Sequence, residues 1–485
     1  MISVFLREQK RYSQSDLCRS LRCTESESIS IIKRLKEFGV LKAVKATDTQ
    51  RDMSDLLDED IEVAEVEEGE TDYYYVFTFV GVITISGRVL KCYPKYLLHT
   101  AQPLLELKQI IKVLERYNSK EQIIRMYSDS AEGKSFNLLA VLLYLLNDYY
   151  ENGSYSSTQD VIETNGSGEI LWDRTINETF TLLSNNRPYY PELQTRKRIA
   201  DDYDYFKRLH ECILSLATKE LRSSDLLELF DIMPVDLSDE ELNDFGERDY
   251  ILYRIERELN VQFNTRKQLV LKTMYSYVSH DAGLYDVDAF SMFGTNSFNL
   301  VWEKVCAEVM DNQLQTPLGA LKLPRPLHPD YASLRSHPLI DLIERPVWCG
   351  DGFCHQAADT LIPDLVSIRN AGADSAFIIF DAKYYTPQLL PGKPLRAQPG
   401  IESITKQYLY QLAFQSFVNK HGIAKVANCF LMPTDGQAIL NMGTASLPML
   451  DALGLEKIKV RFLPAEMMFS HYIAGTKVDL DELNL

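Results

Sequence analysis

"LIPDLVSIRNAGADSAFIIFDAKYY", residues 361–385, holds two apolar runs separated by a gap bearing Gly, Asn and Asp. In a strand, successive side chains point to opposite faces, so Phe377, Ile379, Asp381 and Lys383 share one face while Ile378, Phe380 and Ala382 share the other. Both faces are apolar until Asp381, the pattern of a central strand whose end abruptly carries charge. Paired as an antiparallel hairpin about Ala371–Ala373, the two runs set Ile368 against Phe377, Val366 against Ile379, and Asp364 against Asp381. The two carboxylates then face each other within about 5.5 Å at the Cβ level. A slip of one residue would break that pairing and also mismatch the apolar sets.

Two carboxylates so close repel one another unless a cation lies between them, and hard oxygen ligands suit Mg²⁺ or Mn²⁺. Lys383 projects to the same side. A metal-bound carboxylate pair beside a lysine can activate a water and neutralise charge growing on a phosphodiester. The acid-x-lysine spacing alone is common, as Glu106 with Lys108 illustrates; the facing carboxylate of Asp364 separates this case from it.

The surrounding elements extend the pattern. "FNLVWEKVCAEVMDNQL" predicts a helix with Leu300, Val301, Val305 and Val309 on one side, "LIDLIERPVW" a strand, "ESITKQYLYQLAFQSFVNK" a second helix and "VANCFLM" a further strand. Helix, three strands, helix, strand is an α/β order around one mixed sheet, assigned to 289–485. Near the start, "YSQSDLCRSLRCTESESISIIKRLKEFGVLKAV" predicts a short helix from Ser15, a turn at Thr24, and a longer helix from Glu25 to Phe38 with Ile29, Ile32, Leu35 and Val40 recurring at helical spacing and Gly39 as its cap. Residues 1–50 thus have a winged-helix-like, helix-turn-helix character that serves DNA or protein docking. Residues 51–72 carry eleven acids and no base from Asp52 onward, a solvated linker or insertion or a docking tail for a basic partner. Residues 73–100, aromatic and β-branched with a break at Ser86–Gly87, predict a β-hairpin and a possible partner-docking surface. Residues 101–288 are predicted to form a helical middle domain. The class is multidomain, α+β and α/β.

Bulk properties narrow the function. A chain of 485 residues suggests about three domains at roughly 150 residues each. The net charge of −18 argues against a general nucleic-acid coat, although Lys393, Arg396 and Lys406 stand against only Glu402 in the stretch after Lys383, a local basic patch suited to phosphate. Eight scattered cysteines, no signal-like start and no apolar run of membrane-spanning length fit a soluble protein of the reducing cytoplasm. The cluster "CGDGFCH", Cys349 to His355, has zinc-type ligands but no second pair at zinc-ribbon spacing. His210 and His355 are expected to be packed or surface imidazoles rather than functional ones.

Taken in order, "LIPDLVSI", "FIIFDAKYY" and "KQYLYQLAF" resemble the PD-(D/E)xK nuclease core of LlaJI-type restriction endonucleases, relatives of the McrC nuclease subunit. "FVGVITISGRVLKCYPKYL", "NGSGEILWDRTIN" and "DYDYFKRLHECIL" extend that resemblance upstream. It implies a restriction-endonuclease-like sheet flanked by helices, with Asp364 and Asp381 as ligands of Mg²⁺ or Mn²⁺ and Lys383 positioning the water. It further implies Glu303 as an additional metal ligand or water-mediated contact, and Gln411 as the helical glutamine near lysine or scissile phosphate. Relatives often carry a tyrosine four residues later, where this chain has Gln415. The implied activity is metal-dependent cleavage of double-stranded DNA in a restriction, anti-phage system. The implied partner is a separate McrB-like AAA+ NTPase, consistent with the lack of any G-x-x-x-x-G-K-[S/T] loop here. The competing readings are a DNA- or partner-binding helix-turn-helix protein with a degenerate nuclease domain, and a stand-alone DNA repair nuclease.

Overall fold

The computed structural model describes residues 2–45, 73–100, 102–117, 137–156, 158–200, 204–280, 283–284, 289–370, 374–389 and 391–485. The acidic segment 51–72 and the turn at 371–373 lie outside the described residues. Two compact units emerge, one formed by Met1–Gly133 with Met292–Leu485 and the other by Lys134–Ser291.

In the first unit, β1 (Ile2–Arg7), β2 (Arg11–Tyr12), α1 (Gln14–Leu21), α2 (Glu25–Glu37), β3 (Leu41–Lys45), β4 (Tyr73–Phe77), β5 (Val80–Ile85), β6 (Arg88–Tyr93) and α3 (Leu104–Tyr117) follow one another. Ser13 and Thr24 each cap their helix through reciprocal capping boxes with Asp16 and Glu27, satisfying amide donors that the first turn leaves free. Helix α2 buries Ile31, Ile32 and Leu35, whereas Ile29, expected on the packed stripe, is 44% exposed. Gly39 takes φ +68° after the helix, and Val40 is fully buried. Strands β2, β4 and β3 form one antiparallel sheet. The expected hairpin is β5–β6, turning at Ser86 and Gly87, both at positive φ. It joins β1 and β12 (Phe290–Thr295) in a four-stranded sheet ordered β1-β6-β5-β12. Gly81 of β5 lies so close to β12 that an added Cβ would fall 2.1 Å from the Phe293 carbonyl oxygen, so only glycine fits.

The second unit contains α4 (Leu138–Asn152), β7 (Thr158–Thr164), β8 (Glu169–Ile170), α5 (Trp172–Glu178), β9 (Leu182–Ser184), β10 (Arg187–Tyr189), β11 (Gln194–Ala200), α6 (Tyr205–Ser223), α7 (Leu226–Leu229), α8 (Arg248–Val261) and α9 (Thr265–Ser279). Here the structure departs from the expectation of a helical stretch over 101–288. Helix α3 belongs to the first unit, and between 158 and 200 antiparallel strands flank α5, with β11 between β7 and β8. His210 is buried, its Nδ1 accepting from the Tyr155 amide at 2.9 Å, and burial pushes its pKa down to about 4.

The remaining elements of the first unit are α10 (Phe298–Val309), β13 (Val347–Gly350), β14 (Phe353–Gln356), β15 (Leu365–Arg369), β16 (Ala376–Ala382), α11 (Ile401–His421), β17 (Lys425–Thr434), β18 (Leu440–Ala445), β19 (Ile458–Pro464) and α12 (Ala465–Ala474). They build a mixed sheet ordered β15-β16-β17-β19-β18, in which β16, β17 and β19 run parallel and the edge strands antiparallel. Phe377 and Ile379 of β16 pack with Val366 and Ile368 of β15 against Phe414 and Phe417 of α11. The strand expected within 339–348 does not form as such. Leu339–Leu342 is a 3₁₀ turn between Pro338 and Pro346, and pairing begins only at Val347, in an exposed hairpin with β14. Leu300, expected on the packed side of α10, is 47% exposed, while Val301, Val305 and Val309 are buried with Phe298 and Trp302. Among the described residues no helix is long and apolar enough to cross a membrane.

Candidate active site

The register Val366↔Ile379 and Ile368↔Phe377 is the one that side-chain parity predicts. Continued one step past Leu365↔Phe380, it brings Asp364 to Asp381, and the two carboxyls come close enough to share a hydrogen bond. Asp364 is fixed by two hydrogen bonds. Its Oδ2 accepts from the Ala382 amide at 2.8 Å, and its carbonyl oxygen accepts from Asn312 Nδ2 at 3.4 Å. Asn312 Oδ1 in turn accepts from the Val366 amide at 3.1 Å, so the loop after α10 clamps the start of β15. Asn312 escaped the sequence reading because nothing local distinguishes a loop asparagine that reaches a strand far along the chain.

Asp381 is buried at 5% exposure, and Lys383 Nζ lies 2.9 Å from its Oδ1, in ion-pair range but not oriented as a hydrogen bond. The Lys383 amide donates to the Leu431 carbonyl of β17 at 2.9 Å, and Trp302 Nε1 of α10 donates to that same oxygen at 3.2 Å. Burial and the neighbouring Asp381 carboxylate push the Asp364 pKa up to about 9, with Glu303 adding to the rise. Burial alone would depress the Lys383 ammonium, but the Asp381 and Asp364 carboxylates outweigh it and the net shift is upward. Burial raises the Glu303 carboxyl, with Lys383 opposing and Asp381 reinforcing the shift. The structure thus gathers Asp364, Asp381, Lys383 and Glu303 into one electrostatically coupled group.

Gln411 is placed differently. Its Oε1 accepts from Asn428 Nδ2 at 2.8 Å and from the Glu456 amide at 3.1 Å, which commits its amide oxygen to the sheet beneath α11. One turn earlier, Gln407 is fully buried and neither of its amide atoms has a hydrogen-bond partner. At the start of α11, Lys406 bonds the Glu402 carboxyl and holds it below its ordinary value. Gln407 is therefore the glutamine with an uncommitted amide. Spacing could not single it out, because Gln407 and Gln411 share one face of the helix.

Among the described residues no cluster of three or more His, Cys, Asp and Glu side chains is arranged to hold a metal ion. The donor set at the hairpin nevertheless suits a hard divalent cation: two facing carboxylates, and a buried Asp381 oxygen without a hydrogen bond. Mg²⁺ commonly keeps several waters and takes only one or two carboxylates. Asp364 and Asp381 fit as direct ligands, and Glu303 fits a contact through water. Cys349 and Cys354 stand opposite each other in β13–β14 and are joined as a disulfide, so they are not zinc ligands, and His355 stacks on Phe353. Lys393 and Arg396 are exposed, while Lys406 pairs with Glu402 within α11.

A buried carboxylate pair with a lysine at one strand end is equipped to hold a cation and polarise a water. The sequence model of the LlaJI restriction endonuclease family matches residues 79–338 and 334–465, most of the chain, and the chain belongs to that family. It is 24% identical over 418 residues to the YdjA component of the type II restriction enzyme BsuMI of Bacillus subtilis strain 168, spanning 84% of this chain and 83% of that protein. Among solved structures it matches a half-complex of the tetradecameric assembly of Thermococcus gammatolerans McrB AAA+ hexamers with bound McrC, at 13% identity and TM-score 0.37, covering 97% of this chain and 99% of that one. It also matches the McrBC complex of the same organism at 15% identity and TM-score 0.26, covering 62% and 85%.

Proposed function

We propose that this chain is the nuclease subunit of a restriction system, hydrolysing phosphodiester bonds of double-stranded DNA with Mg²⁺ or Mn²⁺ at a PD-(D/E)xK site. The observation that carries this reading is the approach of Asp364 to Asp381 with Lys383 against Asp381, in a member of a restriction endonuclease family. Asp364 and Asp381 would hold the cation, which when bound supplies Lewis acidity and charge neutralisation at the phosphate. Lys383 would hold and polarise the attacking water, Glu303 would reach the cation through water, and Gln411 would stand on the helix beside the site with its amide oxygen engaged by Asn428 and the Glu456 amide. Lys393 and Arg396 receive the DNA backbone.

The chain has no nucleotide-binding loop of its own, and we assign its activation to a separate McrB-like AAA+ NTPase. The winged-helix-like start, α1–α2 with the β2-β4-β3 sheet, suits docking on that partner better than reading DNA, because Glu25 and Glu27 occupy the first turn of α2 where phosphate would approach. The test is cleavage of plasmid DNA by the purified chain mixed with the NTPase encoded beside it. Cleavage that requires Mg²⁺, the NTPase and its nucleotide, and stops on chelation, is the expected result; cleavage undiminished by chelator would refute it.

A further inference from the structure

Glu8 is 4% exposed and stands just past β1, in a part of the chain the site does not otherwise use. Its Oε2 accepts from the Tyr384 hydroxyl, which belongs to the residue after Lys383, and from the Lys95 amide at 3.2 Å. The Lys95 amide also lies 3.3 Å from the Tyr384 hydroxyl oxygen, closing a three-membered cluster. The Lys95 ammonium sits 4.6 Å from the Tyr384 ring centroid and 5.6 Å from that of Tyr385, and it donates to Gln9 Oε1 at 2.9 Å. Phe298 of α10 tilts against the Tyr384 ring at 5.3 Å. Glu8 itself is held by its amide, which donates to the Tyr93 carbonyl of β6 at 2.9 Å.

A carboxylate costs free energy to bury, and an apolar side chain would fill this place without that cost. What the carboxylate adds is direction: it fixes one hydroxyl at one point. Lys383 and Tyr384 follow directly on β16, which ends at Ala382. The chain at Lys383 is thereby gripped twice, by the Leu431 carbonyl at its own amide and by Glu8 one residue later. Without the Glu8 contact, the chain following β16 keeps only one of these two hydrogen-bonded fixed points beside Lys383.

We propose that Glu8 and Tyr384 are positioning residues for Lys383, so that the amino-terminal β1 segment completes the catalytic strand end. This rests on the nuclease reading above. Tyr384→Phe removes the hydroxyl and keeps the ring; Glu8→Ala removes the acceptor, and Glu8→Gln keeps one. In the full chain with its NTPase partner and Mg²⁺, Tyr384→Phe and Glu8→Ala are expected to lower kcat by about 10- to 100-fold, the scale of a misplaced catalytic group. The KM for DNA should stay within about twofold, and Glu8→Gln should retain most of kcat. The double variant should be no slower than either single one, because both break the same contact.

A second readout does not depend on cleavage: amine-selective labelling of the folded chain, followed by peptide mass spectrometry. Lys383 should label faster in Tyr384→Phe and Glu8→Ala than in wild type or Glu8→Gln, at temperatures well below each variant's melting point. Wild-type kcat and wild-type Lys383 labelling in Tyr384→Phe would overturn the inference while leaving the nuclease reading intact. Faster labelling in a protein whose wild type never cuts DNA would uphold the positioning and reject the nuclease reading instead.

Discussion

Asp381→Ala is expected to reduce metal-dependent DNA cleavage by about 10³-fold or more, and Lys383→Ala to come close to it, with the two separated by metal affinity. Asp381 is the buried partner of the carboxylate pair, and its loss takes away half of the proposed direct protein ligands to the cation. Lys383 touches the pair only through an ion-pair contact at 2.9 Å, so its removal leaves both carboxylates in place. Loss of one preorganised charge-stabilising group costs about 10²–10³ in kcat in other hydrolases, and loss of the metal costs more. Calorimetric titration with Mn²⁺ beside a plasmid-cleavage assay separates the two: Asp381→Ala should lose both signals, Lys383→Ala only cleavage. Both substitutions sit at the strand end, beyond the apolar pairs Val366–Ile379 and Ile368–Phe377, so association with the NTPase should persist.

The second large effect is an inverted dependence of stability on pH. The Asp364 pKa in the folded chain is pushed up to about 9 from an ordinary carboxylate value of 3.8, by burial and by Asp381 beside it. A folded-state pKa above the unfolded one means that the native state holds a proton the unfolded chain has released. Its contribution to stability is complete below the ordinary carboxylate range and is lost as pH rises through the folded value. Without divalent metal, wild type should therefore melt at progressively lower temperature between about pH 4 and pH 9 relative to Asp364→Asn, which cannot titrate. Mg²⁺ takes the place of that shared proton, so its stabilisation should grow with pH, reaching about 2.7 kcal/mol at a concentration 100 times the dissociation constant. Differential scanning fluorimetry of both proteins, with Mg²⁺ or with chelator, measures this. Equal pH dependence in wild type and Asp364→Asn, with no pH-dependent gain from Mg²⁺, would contradict it.

Local pattern carried the reading furthest where one rule governed many residues. The hairpin register was legible because Val366, Ile368, Phe377 and Ile379 must share a buried face, and any slip exposes them together. Helices α1 and α2 were legible because polar residues open each one and Gly39 closes the second. Ile29 and Leu300 were misplaced because a hydrophobic stripe on a helix has soft edges, and which flanking residue is covered depends on the neighbour it meets. The strands between 158 and 200 were hidden by the polar content of their sequence, although β7 and β11 pair along their whole length.

Within the candidate site, strand parity marked Asp364, Asp381 and Lys383, and the family resemblance added Glu303 and Gln411. The sequence could not mark Asn312, or Glu8, which reaches Tyr384 across 376 residues. Nor could it show that Gln411, the glutamine named there, has its amide oxygen claimed by Asn428 and the Glu456 amide, while Gln407 one turn earlier is buried without a hydrogen-bond partner. Residues that act through distant partners leave no spacing to read.

The most direct test of the account is anomalous diffraction from crystals of this protein soaked in Mn²⁺. The account predicts a peak bridging the carboxylates of Asp364 and Asp381, absent from crystals of Asp381→Ala prepared in the same way. A wild-type crystal with no peak there, or with Mn²⁺ bound only elsewhere, would contradict it.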